Sequence, residues 1–256
     1  MTRRIDERDT MFARMDWEEE GEAYRDYYAR HPEKMDIDEE IRQMPGLLQE
    51  GTATYDPLIG PFSSAGFQFL SDIGPLVEGP VADEQVPVTP ERITRLLKNL
   101  ATHLGAVKVG ALEMTEDLYY SHRGRHEANY GEVVVPRHRY GFVFAVEMDE
   151  TMMNRAPQIE EILEVTKGYV NAGIIGMWIA YYLRKLGYDA RNHMDGNYLA
   201  PLPLVAARAG LGGVTIRSVA AELGASASYA GTDVRDEAQV SAAVAAAVER
   251  MGGLNV

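Results

Sequence analysis

The chain contains no cysteine among its 256 residues. It therefore has no disulfide, and it lacks the thiolates needed for a cysteine-ligated zinc site, a thiol nucleophile or an iron–sulfur cluster. Runs of lysine and arginine are also missing, and the formal net charge is −14 at pH 7. Because binding to nucleic-acid phosphates requires a basic surface, we expect no nucleic-acid partner.

Long hydrophobic runs are absent too. The longest apolar stretch, residues 172–183, contains two glycines and is followed directly by Arg184 and Lys185. It is shorter than the roughly 20 residues that a membrane-spanning helix needs. Arg3 and Arg4 lead into the polar residues 5–9 rather than into the apolar segment of an export signal. We therefore expect no membrane contact and a cytoplasmic location.

The first 88 residues differ in character from the rest. Residues 1–50 interleave helix-forming residues with aromatic ones and end near Pro45 and Gly46, which predicts a charged helical arm. Residues 51–88 are rich in glycine and proline and show no sustained periodicity. This composition predicts a long irregular segment that packs over a neighbouring domain.

A regular pattern of helices and strands begins at Thr89. Thr89 and Pro90 are typical of a helix N-cap and first helical residue, and Gly105 of a helix end. Strands are predicted at 106–112 and 140–147, the second apolar enough to be buried on both faces. A long helix is predicted over 158–186, a short strand over 188–191 and a helix over 201–209. We expect the first two strands to pair in one sheet and the long helix to cover a face of it. The predicted buried face of the helix that follows Thr89 consists of aliphatic residues: Ile93, Leu96, Leu97, Leu100 and Leu104.

The composition changes after Gly213. Alanine becomes dense and large aliphatic residues become sparse. Asp236 and Gln239 have the spacing of a capping box and predict a helix over 236–251. The chain then ends on residues 254–256, which are typical of a strand. We expect this tail to pack poorly on the preceding domain, because a fragment without its own sheet has no evolved partner for its apolar face.

Ten short segments, in one order, resemble corrinoid-dependent reductive dehalogenases of the kind that lacks an export signal. Together they cover residues 5–212. The segments are IDERDTMFAR at 5–14, YYARHPE at 27–33, YDP at 55–57, PLVEGP at 75–80, YSHRG at 120–124, FAVEMD at 144–149, GYV at 168–170, LGY at 186–188, HMDGNY at 193–198 and AGLG at 209–212.

This resemblance implies an α/β (α+β) fold with a nitroreductase-like core that binds a corrinoid, cobalamin. It divides the chain into a helical and irregular N-terminal arm at 1–88, a partial dehalogenase-like domain at 89–212 and a short α/β fragment at 213–256. The implied substrates are halogenated organic compounds, including haloaromatics. The family's iron–sulfur clusters have no possible ligands here, because the chain lacks cysteine.

The resemblance also implies a catalytic pair. Tyr169 matches the tyrosine that protonates the product carbon in that family, and Asn197 matches the amide or basic side chain that assists it. A phenol has an unperturbed pKa of about 10, so it keeps its proton until negative charge develops opposite it. A cation such as Lys167 would favour the transfer by lowering that pKa. The alternative is that Tyr169 is an ordinary side chain of the core or its rim.

The loop at 193–198 and the glycines after 209 are the predicted contacts of the corrinoid. Polar side chains of the loop suit the amide groups of a corrinoid, and glycines permit close approach of the backbone. The alternative is an ordinary turn followed by a helix C-cap. Metal ligation, whether by His193 to cobalt or by His122 with His126, is not predicted. The proposed cofactor-binding residues are His193, Asp195, Gly196, Gly210 and Gly212.

The resemblance ends after Gly212. The tail instead resembles the middle of a short-chain dehydrogenase, through VAAELG at 219–224, YAGTDV at 229–234 and the helix that follows. In that family an aspartate at the position of Asp233 contacts the adenine of a dinucleotide. The glycine-rich loop and the catalytic tyrosine–lysine pair of that family are missing. The junction at 212–218 is therefore predicted to result from a fusion, a truncation or an assembly error.

Three functions remain open from the sequence. The first is a partial reductive dehalogenase that is inactive alone. The second is a module that binds or handles a corrinoid without redox chemistry. The third is a fragment related to NAD(P)-dependent short-chain dehydrogenases.

Overall fold

A computed structural model of the chain describes residues 4–15, 17–19 and 21–211. Its α-helices are α1 Met11–Met15, α2 Glu22–Arg30, α3 Met35–Arg42, α4 Gly60–Ile73, α5 Pro90–His103, α6 Glu150–Met153, α7 Ile159–Lys185 and α8 Leu202–Arg208. Its strands are β1 Ala106–Glu113 and β2 Tyr140–Val146. Short 3₁₀ helices occupy Glu7–Asp9, Pro32–Lys34, Gly74–Leu76, Glu116–Leu118 and Glu127–Asn129. The fold is thus mixed helix and small sheet, as predicted.

The two strands form one antiparallel sheet in which Val109 lies opposite Phe144. This confirms the predicted pairing. Side chains of β2 alternate: Phe144 packs with α5 and α7 on one face, and Val143 packs with α8 on the other. Residues 141–146 nevertheless stay half-buried rather than fully buried. The prediction that β2 is buried on both faces is therefore wrong. The described sheet has only two strands, so β2 has one neighbouring strand to shield it.

Helix α5 begins where the sequence predicted. The Thr89 side chain accepts a hydrogen bond from the Arg92 N–H, as an N-cap residue should. Leu97 of this helix is buried against the sheet and α7. Leu96 is 38% exposed, so that member of the predicted face was wrong. Gly105 ends the segment with a φ of 106°, a conformation that favours glycine.

Helix α7 forms the centre of the domain. One of its faces packs on α5 and the sheet through Ile175 and Ile179, and another packs on α4 through Met177. The predicted span of 158–186 is confirmed within one residue at each end. Among the described residues, no helix is long and apolar enough to cross a membrane.

Residues 60–73 correct the prediction of an irregular segment, because they form helix α4. Pro61 occupies its first turn, where a missing N–H costs nothing. The glycines that suggested a loop serve a close contact instead. A Cβ on Gly66 would collide with the Thr166 side chain of α7. Helix α4 therefore lies near enough to α7 for Leu70 and Met177 to share one cluster.

The N-terminal arm is helical, as predicted, and docks on the loop at 120–134. The indole of Trp17 donates to the Gly124 carbonyl at 2.8 Å, and the buried Glu7 carboxylate accepts from the Gly124 N–H at 2.8 Å. The Ser121 N–H donates to the Ile5 carbonyl at 2.7 Å. A small aromatic core of Trp17, Tyr27 and Tyr28 completes the arm.

The segment after α7 also differs from the prediction. Residues 188–191 do not form a strand. The hydrogen bonds of residues 184–192 go to the irregular 77–86 segment and to the end of α7. The Tyr188 N–H, for example, donates to the Leu183 carbonyl. The predicted helix at 201–209 is present as α8. The predictions for residues 213–256, including the helix at 236–251 and its poor packing, lie outside the described residues.

Candidate functional site

The loop at 192–200 runs beside α7 and carries most of the predicted site residues. Asn192 starts it, with its N–H donating to the Val77 carbonyl at 3.1 Å and its side chain directed at Gly173 of α7. Gly196 turns the loop with a φ of 70°, which favours glycine. Buried Met194 packs with Leu70 of α4. The loop is therefore anchored to both helices.

Tyr169 lies on α7 and is 39% exposed. Its ring packs against Phe67 of α4, with centroids 6.0 Å apart. It lies near Tyr198, the last residue of the loop motif, and contributes to the raised pKa of that residue. Tyr169 is therefore near the 193–198 loop through Tyr198, a residue that was not predicted, and the catalytic role of Tyr169 stays a prediction.

The Asn197 side chain is hydrogen-bonded at both ends. Its amide nitrogen donates to the Gly74 carbonyl at 2.9 Å, and its amide oxygen accepts from the Arg191 guanidinium. Arg191 in turn binds Glu78 at 2.5 Å. Both ends of the Asn197 side chain thus hold the loop in place. Its assistance to Tyr169 stays a prediction.

The Lys167 side chain forms a salt bridge with Glu164. The ammonium group lies 2.5 Å from the buried Glu164 carboxylate. Lys167 and Glu164 are three residues apart and are neighbours on the helix surface, whereas Lys167 and Tyr169 are two apart and do not face each other. The proposed assistance of Lys167 to Tyr169 is not supported by this contact.

His193 is recessed but keeps some accessible surface. Burial, followed by the positive charge of Arg191, lowers its pKa to about 3. The ring is therefore neutral at physiological pH. Its Nδ1 accepts a hydrogen bond from the Leu199 N–H at 3.1 Å, so Nε2 carries the proton. His193 is thus a neutral hydrogen-bond donor.

Asp195 and Gly196 are held by the segment at 122–126. The Asp195 carboxylate accepts from the Arg125 guanidinium at 3.1 Å. The His126 Nε2 lies 2.6 Å from the Gly196 carbonyl oxygen, and a Cβ on Gly196 would come 3.5 Å from that nitrogen. The space beside Gly196 is therefore already filled by His126. Among the described residues, no group of histidine and carboxylate side chains has the arrangement of a metal site.

The two remaining predicted residues follow α8. Gly210 has a φ of 73°, and among the described residues a Cβ on it would meet nothing within 4 Å. Gly212 lies outside the described residues.

Tyr198 is the residue that sequence reasoning missed. Burial raises its pKa, and the Asp195 carboxylate and Tyr169 add to that effect. It closes the segment HMDGNY, so the resemblance included the residue without assigning it a role. Its proximity to Tyr169 depends on packing between α7 and the loop, which no local pattern reports.

Comparison with known proteins gives a likeness in fold. No family model matches the chain, and no curated protein matches it. One similar solved structure is the catabolic reductive dehalogenase NpRdhA, N-terminally tagged, in complex with 3-bromo-4-hydroxybenzoic acid. The identity is 19%, the TM-score is 0.56, and the match covers 84% of this chain and 28% of that one.

A second similar structure is a reductive dehalogenase described as suggesting a mechanism for B12-dependent dehalogenation. It is 18% identical with a TM-score of 0.51, and the match covers 69% of this chain and 27% of that one. The chain thus spans less than a third of the length of either protein. At these identities the likeness concerns the fold, which agrees in part with that of reductive dehalogenases.

Proposed function

We propose that this chain is a corrinoid-binding domain of the reductive-dehalogenase type, in which Tyr169 donates the proton. The observation that carries the proposal is the partly exposed Tyr169 near the 193–198 loop, in a fold similar to reductive dehalogenases. The Tyr169 side chain is accessible to a small molecule, and its ring packs against Phe67. The substrates are halogenated organic compounds, by analogy with the brominated hydroxybenzoic acid bound by one similar protein.

The loop residues fit a corrinoid in part. His193 offers a neutral N–H donor that suits the amide oxygens at the edge of such a ring. Gly210 has no neighbour within 4 Å of its Cβ position among the described residues, which would permit close approach of a ligand. Asp195 is paired with Arg125, and Gly196 is covered by His126. We therefore assign corrinoid contacts to His193 and Gly210, and a supporting role to Asp195 and Gly196.

The reaction requires two electrons and one proton. When bound, a corrinoid supplies the reductive cleavage of the carbon–halogen bond, which converts the organic halide into halide ion and a carbon that accepts a proton. Tyr169 supplies that proton, and its own O–H bond breaks as the new C–H bond forms. The resulting phenolate recovers a proton from water.

The electrons come from outside this chain. It has no cysteine and so no cysteine-ligated cluster to deliver them. We therefore propose that the chain alone is inactive with biological reductants and responds to a strong chemical reductant. The same observation favours the second candidate, a module that binds a corrinoid without redox chemistry.

Binding is tested by titrating the protein with cobalamin and following visible absorbance after separation of the free ligand. We expect weak binding that is reduced in His193→Asn. Asparagine keeps an acceptor for the Leu199 N–H and removes the Nε2 donor. His103→Asn, at the exposed end of α5, is the matched control and should bind like the wild type. Retention of no cobalamin by the wild type would contradict the proposal.

A further inference from the structure

We propose that the N-terminal arm is part of the site, because it fixes the 124–126 segment against the 193–198 loop, with Arg125 as the positioning residue. This inference deepens the proposed function, since it identifies what supports the loop assigned to corrinoid contact. It is testable in the unliganded protein, so its outcome is separate from that of corrinoid binding.

The arm holds the first residue of the 124–126 segment by its backbone. The Gly124 N–H donates to the buried Glu7 carboxylate, and the Gly124 carbonyl accepts from the Trp17 indole, each at 2.8 Å. A Cβ on Gly124 would lie 2.5 Å from Cα of Arg8, so the two backbones are too close for a side chain between them. The segment cannot move away from the arm without breaking both hydrogen bonds.

The next two residues contact the site loop. The Arg125 guanidinium donates to the Asp195 carboxylate at 3.1 Å, and Nε2 of His126 lies 2.6 Å from the Gly196 carbonyl oxygen. The side chains of the ion pair are only 22% and 20% exposed, so water screens it less than a surface pair. Three consecutive residues therefore connect the arm to the loop.

Arg125 also meets the arm directly. Its guanidinium carbon lies 6.0 Å from the centre of the Phe12 ring of α1, which is within the range of a cation–π interaction. Phe12 is 67% exposed, so burial in a core does not account for its position. A planar guanidinium stacks on a ring with its face and still directs its N–H groups at a carboxylate. Arg125 is thus the side chain through which the arm positions Asp195.

Two backbone N–H groups report on the shape of the loop. The Asn197 N–H donates to the Met194 carbonyl at 2.9 Å, and the Leu199 N–H donates to Nδ1 of His193 at 3.1 Å. Both bonds span the residues that contact the 124–126 segment. If the arm holds the loop, weakening its contact with Arg125 should open both bonds more often.

The experiment is amide hydrogen exchange of the unliganded full chain, followed by NMR at Asn197 and Leu199. Phe12→Ala should speed exchange at both by about two- to fivefold, because it removes a cation–π interaction at a largely exposed site. Phe62→Ala, at a phenylalanine of α4 that is 69% exposed, is the matched control and should leave both rates unchanged. The Leu104 N–H, at the end of α5, should keep its rate in both variants.

Substitutions of Arg125 test the route from arm to loop. Arg125→Met removes the ion pair with Asp195 and should speed exchange in the loop at least as much as Phe12→Ala does. Arg125→Lys keeps the positive charge and should restore most of the protection. Adding Phe12→Ala to Arg125→Met should have little further effect, because the connection is already broken. A general stabilising effect of the arm would instead make the two changes additive.

Unchanged exchange in Phe12→Ala at Asn197 and Leu199, or additive effects of Phe12→Ala and Arg125→Met, would overturn the inference. Titration with cobalamin separates it from the proposed function. If the exchange rates change as expected while the wild type binds no cobalamin, the arm positions the loop and the proposed function fails. If the wild type binds cobalamin and the rates stay the same, the inference alone fails.

Discussion

Two glycines of α7 should respond in opposite directions to the same substitution. A Cβ on Gly168 would lie 3.5 Å from the flexible Met148 side chain, which is an ordinary contact. A Cβ on Gly176 would lie 2.8 Å from Cγ of Asn192 and 3.0 Å from its Nδ2. Asn192 is buried at the start of the site loop, so it has little room to move.

The expected magnitudes follow from two opposing effects. Replacing glycine by alanine inside a helix stabilises it by about 1 kcal/mol. Gly168→Ala should show most of this gain. Forcing a side chain into a packed contact costs about 1–3 kcal/mol, so Gly176→Ala should be destabilised by up to about 2 kcal/mol. The two variants should therefore differ by roughly 2–3 kcal/mol in free energy of unfolding.

Urea unfolding followed by circular dichroism measures both variants. The double variant Gly176→Ala with Asn192→Ala should cost less than the sum of the two single changes, because the second removes the obstructing side chain. Equal or greater stability of Gly176→Ala compared with Gly168→Ala would refute the close approach of the loop to α7.

Two further predictions concern the pH dependence and the N-terminal arm. The pKa of His193 in the folded protein is about 3, below the ordinary 6.5. The stability contributed by the buried neutral ring is therefore complete above about pH 6.5 and is lost as pH falls toward 3. The wild type should therefore lose up to about 1.4 kcal/mol more per pH unit between pH 6 and 5 than His193→Asn, measured by urea unfolding at each pH; equal slopes would contradict this. Gly124→Ala should undock the arm, because its Cβ would lie 2.5 Å from Cα of Arg8, and fluorescence of Trp17 in a Trp178→Phe background should shift to longer wavelength. An unchanged spectrum, as expected for the control Gly168→Ala, would show that the arm docks differently.

Elements with strong local signals were predictable from the sequence. Helix α5 has a Thr–Pro start and a glycine end, and α7 has a long apolar pattern closed by Gly187, which takes a φ of 83°. The strands at β1 and β2 carried enough aliphatic and aromatic residues to be recognised. These features depend on neighbours in the chain, which is why the sequence alone was sufficient.

Features that depend on distant contacts were missed. Helix α4 resembled a loop because Gly60, Pro61 and Gly66 are uncommon in helices, yet Gly66 is the residue that lets Thr166 approach. Residues 188–191 had the composition of a strand, but no strand of the described residues lies beside them. Local propensity does not report which surface a segment will meet.

The candidate site was predictable only through the family resemblance. That resemblance located Tyr169 and the loop at 193–198, which the structure brings together. It did not reveal that the Asn197 amide is bound by Gly74 and Arg191. The proximity of Tyr198 to Tyr169 depends on the position of the loop beside α7 and has no local signal.

Halide release is the most direct test of the central claim. Halide release is measured in the presence of cobalamin, a strong chemical reductant and a brominated phenol. The samples are the wild type, Tyr169→Phe, Tyr181→Phe and a control with cobalamin but no protein. The account predicts that the wild type and Tyr181→Phe release halide faster than free cobalamin, and that Tyr169→Phe loses most of this excess. If Tyr169→Phe matches the wild type while both exceed free cobalamin, Tyr169 is not the proton donor. If the wild type only equals free cobalamin, the chain does not perform this reaction.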